Sequence, residues 1–409
     1  MMKLAPSWTR PEVHAALYAL LLVLTPFLLL RNYLQGAIGE FSRFRVDLFG
    51  QPLLLVPLLA ALLAAVGLWL ARRRLNRRTL PVLLLVGLLW AAGQQVSDYY
   101  FGHTATDLQH NWHTIAYGIF ALLFWRAAQR RGLSAERIIV PGLATALALS
   151  AMDEGVQVII STRIFDVGDI GKDGWGAAIG LSAVTLHEAW PALRREGFRL
   201  ARPRLRDYRC AAFPQLVYAL LFAFIFLSVG SLFTDAAYVG YVLAISAGAF
   251  IALFLLVHLL GKPGWRWAAL GLMLTLAALQ AWMVARQPRG RVHHVGRHRV
   301  VYSGVPVPLA DLLIHEDGSF RPIDKKHSFN KRDQQTLVRQ TSHILLIGSG
   351  MKGRGGQGFP EPFPVQFLPD LEEDRAVQVI VLPTTQAVAV YNRLRDEGRR
   401  VTFVVHTGC

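Results

Sequence analysis

The sequence predicts a polytopic α-helical membrane protein with a small C-terminal α/β domain outside the membrane. Two compositional observations support this: 53% of the 409 residues are hydrophobic, and only 17% are charged. With a mean hydropathy of +0.35, the chain is too apolar for a soluble protein of this length, and a disordered or fibrous chain is excluded. The third observation is that the long apolar runs stop near Arg286, after which the composition becomes that of a soluble domain.

About nine apolar stretches precede Arg286 and are long enough for membrane spans, since roughly 17 to 25 residues cross the hydrocarbon core. They cover residues 14–34, 52–71, 80–96, 112–128, 138–160, 175–190, 213–233, 238–260 and 265–285. The sixth is the least typical, because it is short and carries His187 and Glu188 near its end. The first is too long for a signal peptide and lacks a small-residue cleavage site, so it is interpreted as a true span.

The distribution of arginine predicts the orientation, because Lys and Arg near span ends are retained on the cytoplasmic side. Three predicted loops, at residues 72–78, 130–137 and 194–209, are rich in arginine and alternate with acidic or neutral loops. Nine spans then place the N-terminus in the cytoplasm of a bacterium and the C-terminal domain on the outer side of its inner membrane. Arg43, Arg45 and the arginines after the last span argue against this, and one miscounted span would reverse the side of the C-terminal domain.

The formal net charge of +16 raises the question of nucleic-acid binding. The arginines, however, lie in loops between spans and lack the interleaved aromatic residues of a nucleic-acid platform, so no nucleic-acid partner is predicted. Cys210 and Cys409 are the only cysteines, and no CxxC motif is present. The cysteine count therefore predicts neither a disulfide scaffold nor a Cys-based metal site. No cofactor and no resident metal are predicted.

Residues 288–409 have the length and pattern of a soluble α/β domain. Strands are predicted at residues 299–305, 312–314, 343–347, 378–382 and 401–406, and helices at 331–341, 370–376 and 384–397. Glu316, Asp317 and Gly318 form the predicted turn of a hairpin. The glycine- and proline-rich residues 348–364 are predicted to be a loop.

A GxGxxG motif is formed by Gly348, Gly350 and Gly353 after a predicted strand. Dinucleotide binding requires a helix that begins directly after the motif, so that its first N–H groups face the pyrophosphate. Here RGGQGFPEPFP follows, and its prolines and glycines prevent a helix. The motif therefore does not predict a nucleotide cofactor, whereas an anion-binding nest remains open.

Acidic residues occur at the outer end of the fifth predicted span, where an ionisable group is costly unless it meets a partner or water. Asp153 and Gln157 share one helix face, with Glu154 beside them. The following loop is predicted to supply further charged residues, namely Arg163, Asp166, Asp169 and Asp173. Two interpretations stay open: a polar pocket that opens to the outside, or a structural network in which Asp153 or Glu154 pairs with Arg163 and Asp173 caps the next helix.

The fourth predicted span begins with a cluster of polar residues. His113 and Tyr117 are four residues apart, and His110 lies one turn before His113, so these side chains share a helix face. A histidine there is suited to proton transfer or metal ligation. The alternative is that these residues simply lie at the membrane interface.

These segments resemble the VanZ-like family of integral membrane proteins. HTIAY, DEGVQVIISTR and DIGKDGWGAAIG match that family's motifs over about residues 80–190, at His113, Tyr117, Asp153, Glu154, Gln157, Arg163, Asp169, Asp173, Gly176 and Gly180. The chain departs from the pattern at Gln109, where the family usually has Asp, and at Asp173, where it has Asn. The resemblance implies a membrane protein of a family in which some members are linked to resistance against glycopeptide antibiotics such as teicoplanin, and it implies no settled reaction.

A second resemblance covers about residues 312–409. LLIHEDGSF, HILLIGSGMKG and VLPTTQAVAVYNRLRDEGRRVTFVV look like the small α/β domain family that includes a mitochondrial complex I assembly factor. The matching positions are Gly348, Gly350, Thr385, Ala387, Tyr391, Asn392, Glu397, Gly398, Arg399 and Arg400, with Ser349 where Thr is usual. The resemblance implies a docking or assembly module, and no catalytic activity comes with it.

Two functions from different classes follow as expectations. In the first, the chain is a non-enzymatic membrane protein with an envelope role. It binds a lipid, a lipid-linked glycan or an amphiphilic antibiotic in the polar pocket, and its C-terminal domain docks a protein partner. The ligand-binding candidates are Tyr117, Gln157, Arg163, Asp169 and Asp173.

In the second, the chain is an intramembrane enzyme in which Asp153 or Glu154 acts with His113 as acid and base on a lipid headgroup while Arg163 holds a phosphate. A transporter has less support, because no inverted repeat is visible.

Overall fold

The computed structural model describes residues 10–28, 37, 41, 44–48, 51–72, 78–97, 108–158, 165–286, 289–296, 299–325, 327–329, 331–359, 365–370 and 375–408. It divides into two compact units. The first comprises Met1–Ser97, His103–Ser231 and Ala236–Trp265, and the second comprises Asp98–Gly102, Leu232–Asp235 and Arg266–Cys409. The boundary predicted at residues 287–288 lies outside the described residues.

The first unit is almost entirely helical, apart from a short hairpin of β1 (Arg45–Leu48) and β2 (Gln51–Leu54). Its helices are α1 (Pro11–Leu28), α2 (Leu55–Ala71), α3 (Thr79–Val96), α4 (Leu108–Arg130), α5 (Ala135–Gln157), α6 (Val167–Glu188), α7 (Trp190–Glu196), α8 (Ala212–Gly230) and α9 (Val239–Leu260). Helix α10 (Pro263–Arg286) begins in the first unit and belongs mostly to the second. Each of the nine predicted spans overlaps one of these helices in the described part of the chain.

Five helical segments in the described residues are long and apolar enough to cross a membrane: Thr79–Val96, Ala135–Gln157, Ala212–Gly230, Ala236–Leu260 and Pro263–Arg286. Large apolar side chains such as Trp267 and Leu274 are exposed on the last of these, as expected for a surface that contacts lipid. The chain is therefore a predominantly helical protein with membrane-spanning character and a separate sheet-containing unit. The count of nine spans stays a prediction.

Helix α6 is the central helix of the first unit and packs against α3, α4, α5 and α8. It begins at Val167, well before the span predicted at residues 175–190, and Asp166 caps it by accepting a hydrogen bond from Gly168 N at 2.6 Å. The prediction that Asp169 and Asp173 lie in a loop is therefore wrong, and so is the prediction that Asp173 is the N-cap. Gly176 and Gly180, which the sequence places in a glycine-rich helix suited to close packing, are buried inside the bundle, where they let neighbouring helices approach.

Close packing of α4 against α6 depends on two glycines. A Cβ atom at Gly176 would lie 2.6 Å from the Thr114 carbonyl oxygen, and one at Gly180 would lie 2.6 Å from the Gly118 carbonyl oxygen. The two backbones are thus in direct contact, in the manner of small-residue interfaces between membrane helices. This contact fixes the position of the first turns of α4 relative to α6.

The second unit is built on a six-stranded mixed sheet in the order β7-β6-β11-β8-β10-β9. Its strands are β6 (Asp311–Ile314), β7 (Phe320–Ile323), β8 (Ile344–Gly348), β9 (Val365–Asp370), β10 (Arg375–Leu382) and β11 (Val401–Val405). Strand β8 is parallel to both β10 and β11, and the other pairs are antiparallel. A three-stranded antiparallel sheet of β3 (Val292–Gly296), β4 (Arg299–Tyr302) and β5 (Val305–Pro308) precedes it.

Two helices cover the two faces of the six-stranded sheet, because successive strand residues point to opposite sides. Leu346 and Phe403 pack in one core with α12 (Thr384–Asp396), whereas Leu345 and Val404 pack in the other with α11 (Lys331–Arg339). The three-stranded sheet adds Val300 and Tyr302 to the α12 side. The result is a layered α/β unit, which is the class that the sequence predicts for this region.

One predicted helix in this unit is wrong. Residues 370–376 were expected to form a short helix, but Asp370 ends β9 and Arg375 begins β10, and these two residues pair in an antiparallel ladder. Residues 371–374 lie outside the described residues. The charged run LEEDR suggested helical propensity, whereas the flanking apolar residues that alternate along both strands determine the outcome.

Replacing Gly176 by alanine should destabilise the first unit, because the new methyl group has no space against Thr114. We expect the free energy of unfolding to fall by about 1–3 kcal/mol, as for other overpacked sites, in SDS titrations of the full-length protein in mixed micelles. Gly87→Ala is the matched control, since no atom of a neighbouring segment in the described structure lies within 4 Å of the added Cβ there. Equal unfolding free energies for the two variants would contradict the close contact between α4 and α6.

Candidate functional site

The polar centre of the first unit is an imidazole held between two carboxylates. His113, in the second turn of α4, has its Nδ1 atom 2.9 Å from Asp173 Oδ1 and its Nε2 atom 3.5 Å from Asp169 Oδ2. The two aspartates are four residues apart, so they lie on one face of α6. We refer to His113, Asp169 and Asp173, together with Ser150 and Lys172, as the His–Asp cluster.

Asp173 is the buried end of this cluster. Its side chain is 1% exposed, and a carboxylate in such a place is tolerated only when its oxygens are hydrogen-bonded. His113 engages one oxygen, and Ser150 of α5 donates to the other from 2.6 Å. Three helices therefore meet at one carboxylate.

Asp169 is the accessible end. Its side chain is 24% exposed and that of His113 is 20% exposed, and Lys172 donates to Asp169 Oδ1 from 2.7 Å. The cluster thus runs from a partly exposed ion pair to a fully buried carboxylate, with the imidazole between them. This arrangement presents a lysine ammonium, an imidazole and a carboxylate to a small polar group that approaches from outside.

Tyr117 contributes a buried hydroxyl next to the same carboxylate. Its side chain is 3% exposed, and its hydroxyl makes no hydrogen bond of good geometry with the described residues. The negative charges of Asp173 and Asp153 act on this hydroxyl group, and the Ser150 hydroxyl lies near enough to interact with it. A hydroxyl of this kind is a donor available to a ligand or a water molecule.

Glu154 and Gln157 form a separate group at the end of α5. Glu154 is fully buried and accepts hydrogen bonds from Gln157 Nε2 at 2.6 Å and from the Asp166 backbone N–H at 2.9 Å. This carboxylate therefore ties the end of α5 to the start of α6. Asp153 is half-buried between the two groups and acts electrostatically on both Tyr117 and Glu154.

The structure thus brings together four of the eight residues that the sequence singled out: His113, Tyr117, Asp169 and Asp173. Glu154 and Gln157 serve the connection between α5 and α6, and Arg163 lies outside the described residues. Sequence reasoning missed Ser150 and Lys172. Lys172 follows Asp169 by three residues, a spacing that predicts an ion pair on a helix, but this signal was lost because the segment was expected to be a loop.

A narrow cleft lies beside the cluster, between α3, α4 and α6. Its volume is about 10 Å³, and Trp90, His110, Thr114, Lys172 and Trp175 are among its walls. Pockets for whole drug-sized molecules are far larger, at about 300–1,000 Å³. The cleft therefore has room for about one water molecule, so a polar head would have to displace a wall residue such as Lys172, and the rest of an amphiphile would have to lie along the outside of the helices.

The second unit contains its own buried polar cluster at the end of β11. Asp311 accepts hydrogen bonds from the Thr407 backbone N–H at 2.8 Å and from its hydroxyl at 3.1 Å, and it also binds the imidazole of His406. Lys325 donates to Thr407 Oγ1 at 3.0 Å. Burial lowers the pKa of the neighbouring His327, and the charge of His406 lowers it further.

The glycine motif of the second unit does not begin a helix. Residues 349–359 contain neither a helix nor a strand, and the next helix, α12, begins at Thr384 after strand β10. The Thr384 hydroxyl accepts a hydrogen bond from Gly350 N at 2.9 Å, so this loop is tied to the start of α12. In the described part of the chain, no group of three His, Cys, Asp or Glu side chains is arranged to hold a metal ion.

Removing the buried carboxylate should destabilise the first unit. Asp173→Ala leaves the imidazole of His113 and the Ser150 hydroxyl without their acceptor, and we expect a loss of about 3 kcal/mol in the free energy of unfolding. The double variant with His113→Ala should cost less than the sum of the two single variants, because the residues share one interaction. Additive losses in SDS titrations would show that the two side chains are not coupled.

Comparisons with known proteins give little further guidance. No family model matches the chain, and no curated protein matches it. A solved structure named MT938 is 25% identical, with a match that covers 29% of this chain and 98% of that chain, at a TM-score of 0.23. A score this low carries no argument about fold or function, so the two family resemblances stay predictions.

Proposed function

We propose that the chain is an integral membrane protein of VanZ-like type with an envelope-related role, which binds the polar head of an amphiphile at the His–Asp cluster. The ligand class comprises a lipid, a lipid-linked glycan or an amphiphilic antibiotic. The observation that carries the proposal is the graded burial of the cluster, from Asp169 and His113 at its accessible end to Asp173 at its buried end. Intramembrane ionisable groups of this kind commonly mark functional sites.

The apolar surface of the helices supports an amphiphile over a water-soluble ligand. The helices around α6 carry exposed leucine, isoleucine and tryptophan side chains, including Trp112 and Ile115 on α4, one or two residues from His113. A ligand whose polar head reaches the cluster would therefore find an apolar surface for its tail. The Tyr117 hydroxyl provides an additional donor for the polar head.

The proposed orientation follows from the arginine-rich loops. Nine spans in a bacterial inner membrane place the N-terminus in the cytoplasm, the His–Asp cluster toward the outer face and the C-terminal α/β domain outside. In this arrangement the C-terminal domain acts as a docking or assembly module for a protein partner.

An intramembrane enzyme is the second candidate, and the pairing of His113 with Asp173 favours it. A general base is commonly a histidine that a carboxylate orients through one ring nitrogen, and Nδ1 of His113 contacts Asp173 in this way. In such an enzyme the other ring nitrogen, beside Asp169, would exchange a proton with a lipid headgroup. The carboxylate that contacts His113 is then Asp173, whereas the sequence predicts Asp153 or Glu154 as the acid–base partner of His113.

Asp169→Asn should weaken ligand binding, because the variant keeps the shape of the side chain and removes its charge. We expect at least about tenfold less co-purifying lipid per protein, consistent with the loss of a charge-assisted hydrogen bond, when full-length protein is extracted in mild detergent and its lipids are quantified by mass spectrometry. Glu136→Gln is the matched control, since this half-buried carboxyl group lies away from the His–Asp cluster and accepts a hydrogen bond from Ser134 at 2.6 Å.

The same preparations separate the two candidates. If Asp169→Asn retains as much co-purifying lipid per protein as wild type does, the proposed binding site is rejected. If wild-type protein converts added bacterial lipid extract to a new species and His113→Gln binds the lipid without converting it, the enzyme is correct. If teicoplanin tolerance of expressing cells falls with Asp169→Asn but not with Glu136→Gln, the ligand class includes the antibiotic.

The two cysteines provide a test of orientation. Cys210 is exposed in the arginine-rich loop and is expected in the cytoplasm, whereas Cys409 is expected outside. A membrane-impermeant maleimide applied to intact cells or spheroplasts should label wild type and Cys210→Ser equally and should not label Cys409→Ser. Labelling of Cys409→Ser, or its absence in Cys210→Ser, would reverse the proposed sidedness.

A further inference from the structure

A second polar surface lies in the first unit on the segment between α6 and α8. Residues 190–210 contain seven arginines against two acidic residues, which gives a net charge of +5. Six of these arginines have exposed side chains: Arg194, Arg195, Arg199, Arg204, Arg206 and Arg209. We refer to these six residues, with Phe198 and Leu205, as the arginine surface.

The two acidic residues of the segment do little to neutralise this charge. Glu196 accepts hydrogen bonds from the backbone N–H groups of Ala212 and Phe213 at 2.9 and 3.3 Å and pairs with Arg202 at 3.0 Å. It is therefore committed to the start of α8 and to the one arginine outside the arginine surface. Asp207 accepts a hydrogen bond from the Arg204 backbone N–H at 3.1 Å, and its other oxygen lies 3.8 Å from Arg206 Nε in an exposed ion pair, so it offsets the charge of one of the six arginines.

The segment is held firmly against the bundle. The Tyr208 side chain is buried, and its hydroxyl lies 3.1 Å from both His258 Nδ1 and the Arg202 backbone N–H. Gln215 donates to the carbonyl groups of Tyr208 and Arg209. The arginines thus extend from a fixed backbone, so that binding does not have to order a loose loop.

Exposed apolar side chains lie among the arginines. Phe198 is exposed although its ring packs 5.2 Å from Trp190 and 5.4 Å from Phe213, and its φ of 52° holds it in this outward turn. Leu205 is exposed on the following 3-10 turn. Large apolar groups beside clustered arginines, next to the ends of apolar helices, are typical of surfaces that enter the headgroup layer.

We propose that the arginine surface binds the phosphate groups of anionic phospholipids in the adjoining leaflet. Arginine presents a planar fork of donors that matches phosphate oxygens, and clustered cationic side chains at span ends attract anionic headgroups. Phe198 and Leu205 reach the acyl boundary while the arginines hold the headgroups. This proposal uses none of the residues of the His–Asp cluster and is independent of the proposed function.

The test uses full-length protein in nanodiscs of phosphatidylcholine, alone or mixed with phosphatidylglycerol in equal parts. Wild type should have a higher thermal unfolding midpoint in the mixed discs and should retain phosphatidylglycerol in native mass spectra. The variant R194Q/R199Q/R209Q should lose most of that increase and bind phosphatidylglycerol about tenfold more weakly or worse, since each cation near a membrane surface contributes to binding. R194K/R199K/R209K should retain most of the binding, because it keeps the charge.

The matched control is R130Q/R131Q/R137Q, which removes the same charge from exposed arginines of another loop and should keep most of the effect. The proposal is overturned if R194Q/R199Q/R209Q binds phosphatidylglycerol like wild type, or if the control loses as much binding. It is also overturned if wild type carries RNA, seen as absorbance at 260 nm, that the glutamine variant lacks. Should the glutamine variant fail to fold in phosphatidylcholine, the loss of phosphatidylglycerol from wild type and R194K/R199K/R209K at high salt tests the same contact.

Discussion

The structure of the helical unit depends on how a carboxylate is accommodated in the middle of a bundle. Asp173 is 1% exposed on a helix that other helices surround, and an isolated charge there would cost several kcal/mol. His113 and Ser150, from the helices on either side, provide its partners. Those partners are within reach because glycines on α6 let α4 approach until the two backbones touch. The close packing of α4 against α6 and the buried polar contact therefore depend on each other. Without the glycines α4 would lie farther from α6, and the imidazole could not reach the carboxylate.

The same geometry explains why the cluster has one accessible end. Asp169 lies one helical turn before Asp173, toward the start of α6, and is balanced by Lys172. One turn is about 5.4 Å, so the two carboxylates lie at different depths and His113 can contact both. A ligand group that displaces Lys172 from Asp169 would contact the outer carboxylate and the imidazole without opening the bundle. The cleft beside Lys172 has room for only about one water molecule, so the head would have to displace Lys172 to enter and the tail would have to lie outside the bundle.

Apolar run length was sufficient to locate helices in the first unit, because segments rich in Leu, Val and Ala are hydrophobic on every face. It failed at α6, where Asp166, Asp169, Lys172 and Asp173 share a segment with several glycines and the pattern indicated a loop. In this segment, packing against the neighbouring helices outweighs the low helix propensity of its glycines and aspartates. Such packing cannot be seen in a single sequence. Ser150 was missed for a related reason: a serine in an apolar helix gives no sign of the carboxylate it meets. In the second unit, short continuous apolar runs predict the central strands β8 and β11, whereas β9 is missed because a charged connection precedes β10.

The charged residues near the two ends of α6 relate the His–Asp cluster to the arginine surface. Its first turn carries Asp169 directly after the capping Asp166, where negative charge is favoured by the helix dipole, and its last turn is followed by Arg194 and Arg195 of α7. In the proposed orientation Arg194 and Arg195 would lie on the cytoplasmic side, where Lys and Arg near span ends are retained. A lipid bilayer with anionic headgroups at the arginine surface would therefore fix the depth of α6. If both proposals hold, the depth of α6 would also determine how far the head of an amphiphile must travel to reach His113, because Asp173 lies on the same helix as these ends. The arginine surface would then set the level in the membrane at which the His–Asp cluster accepts a ligand.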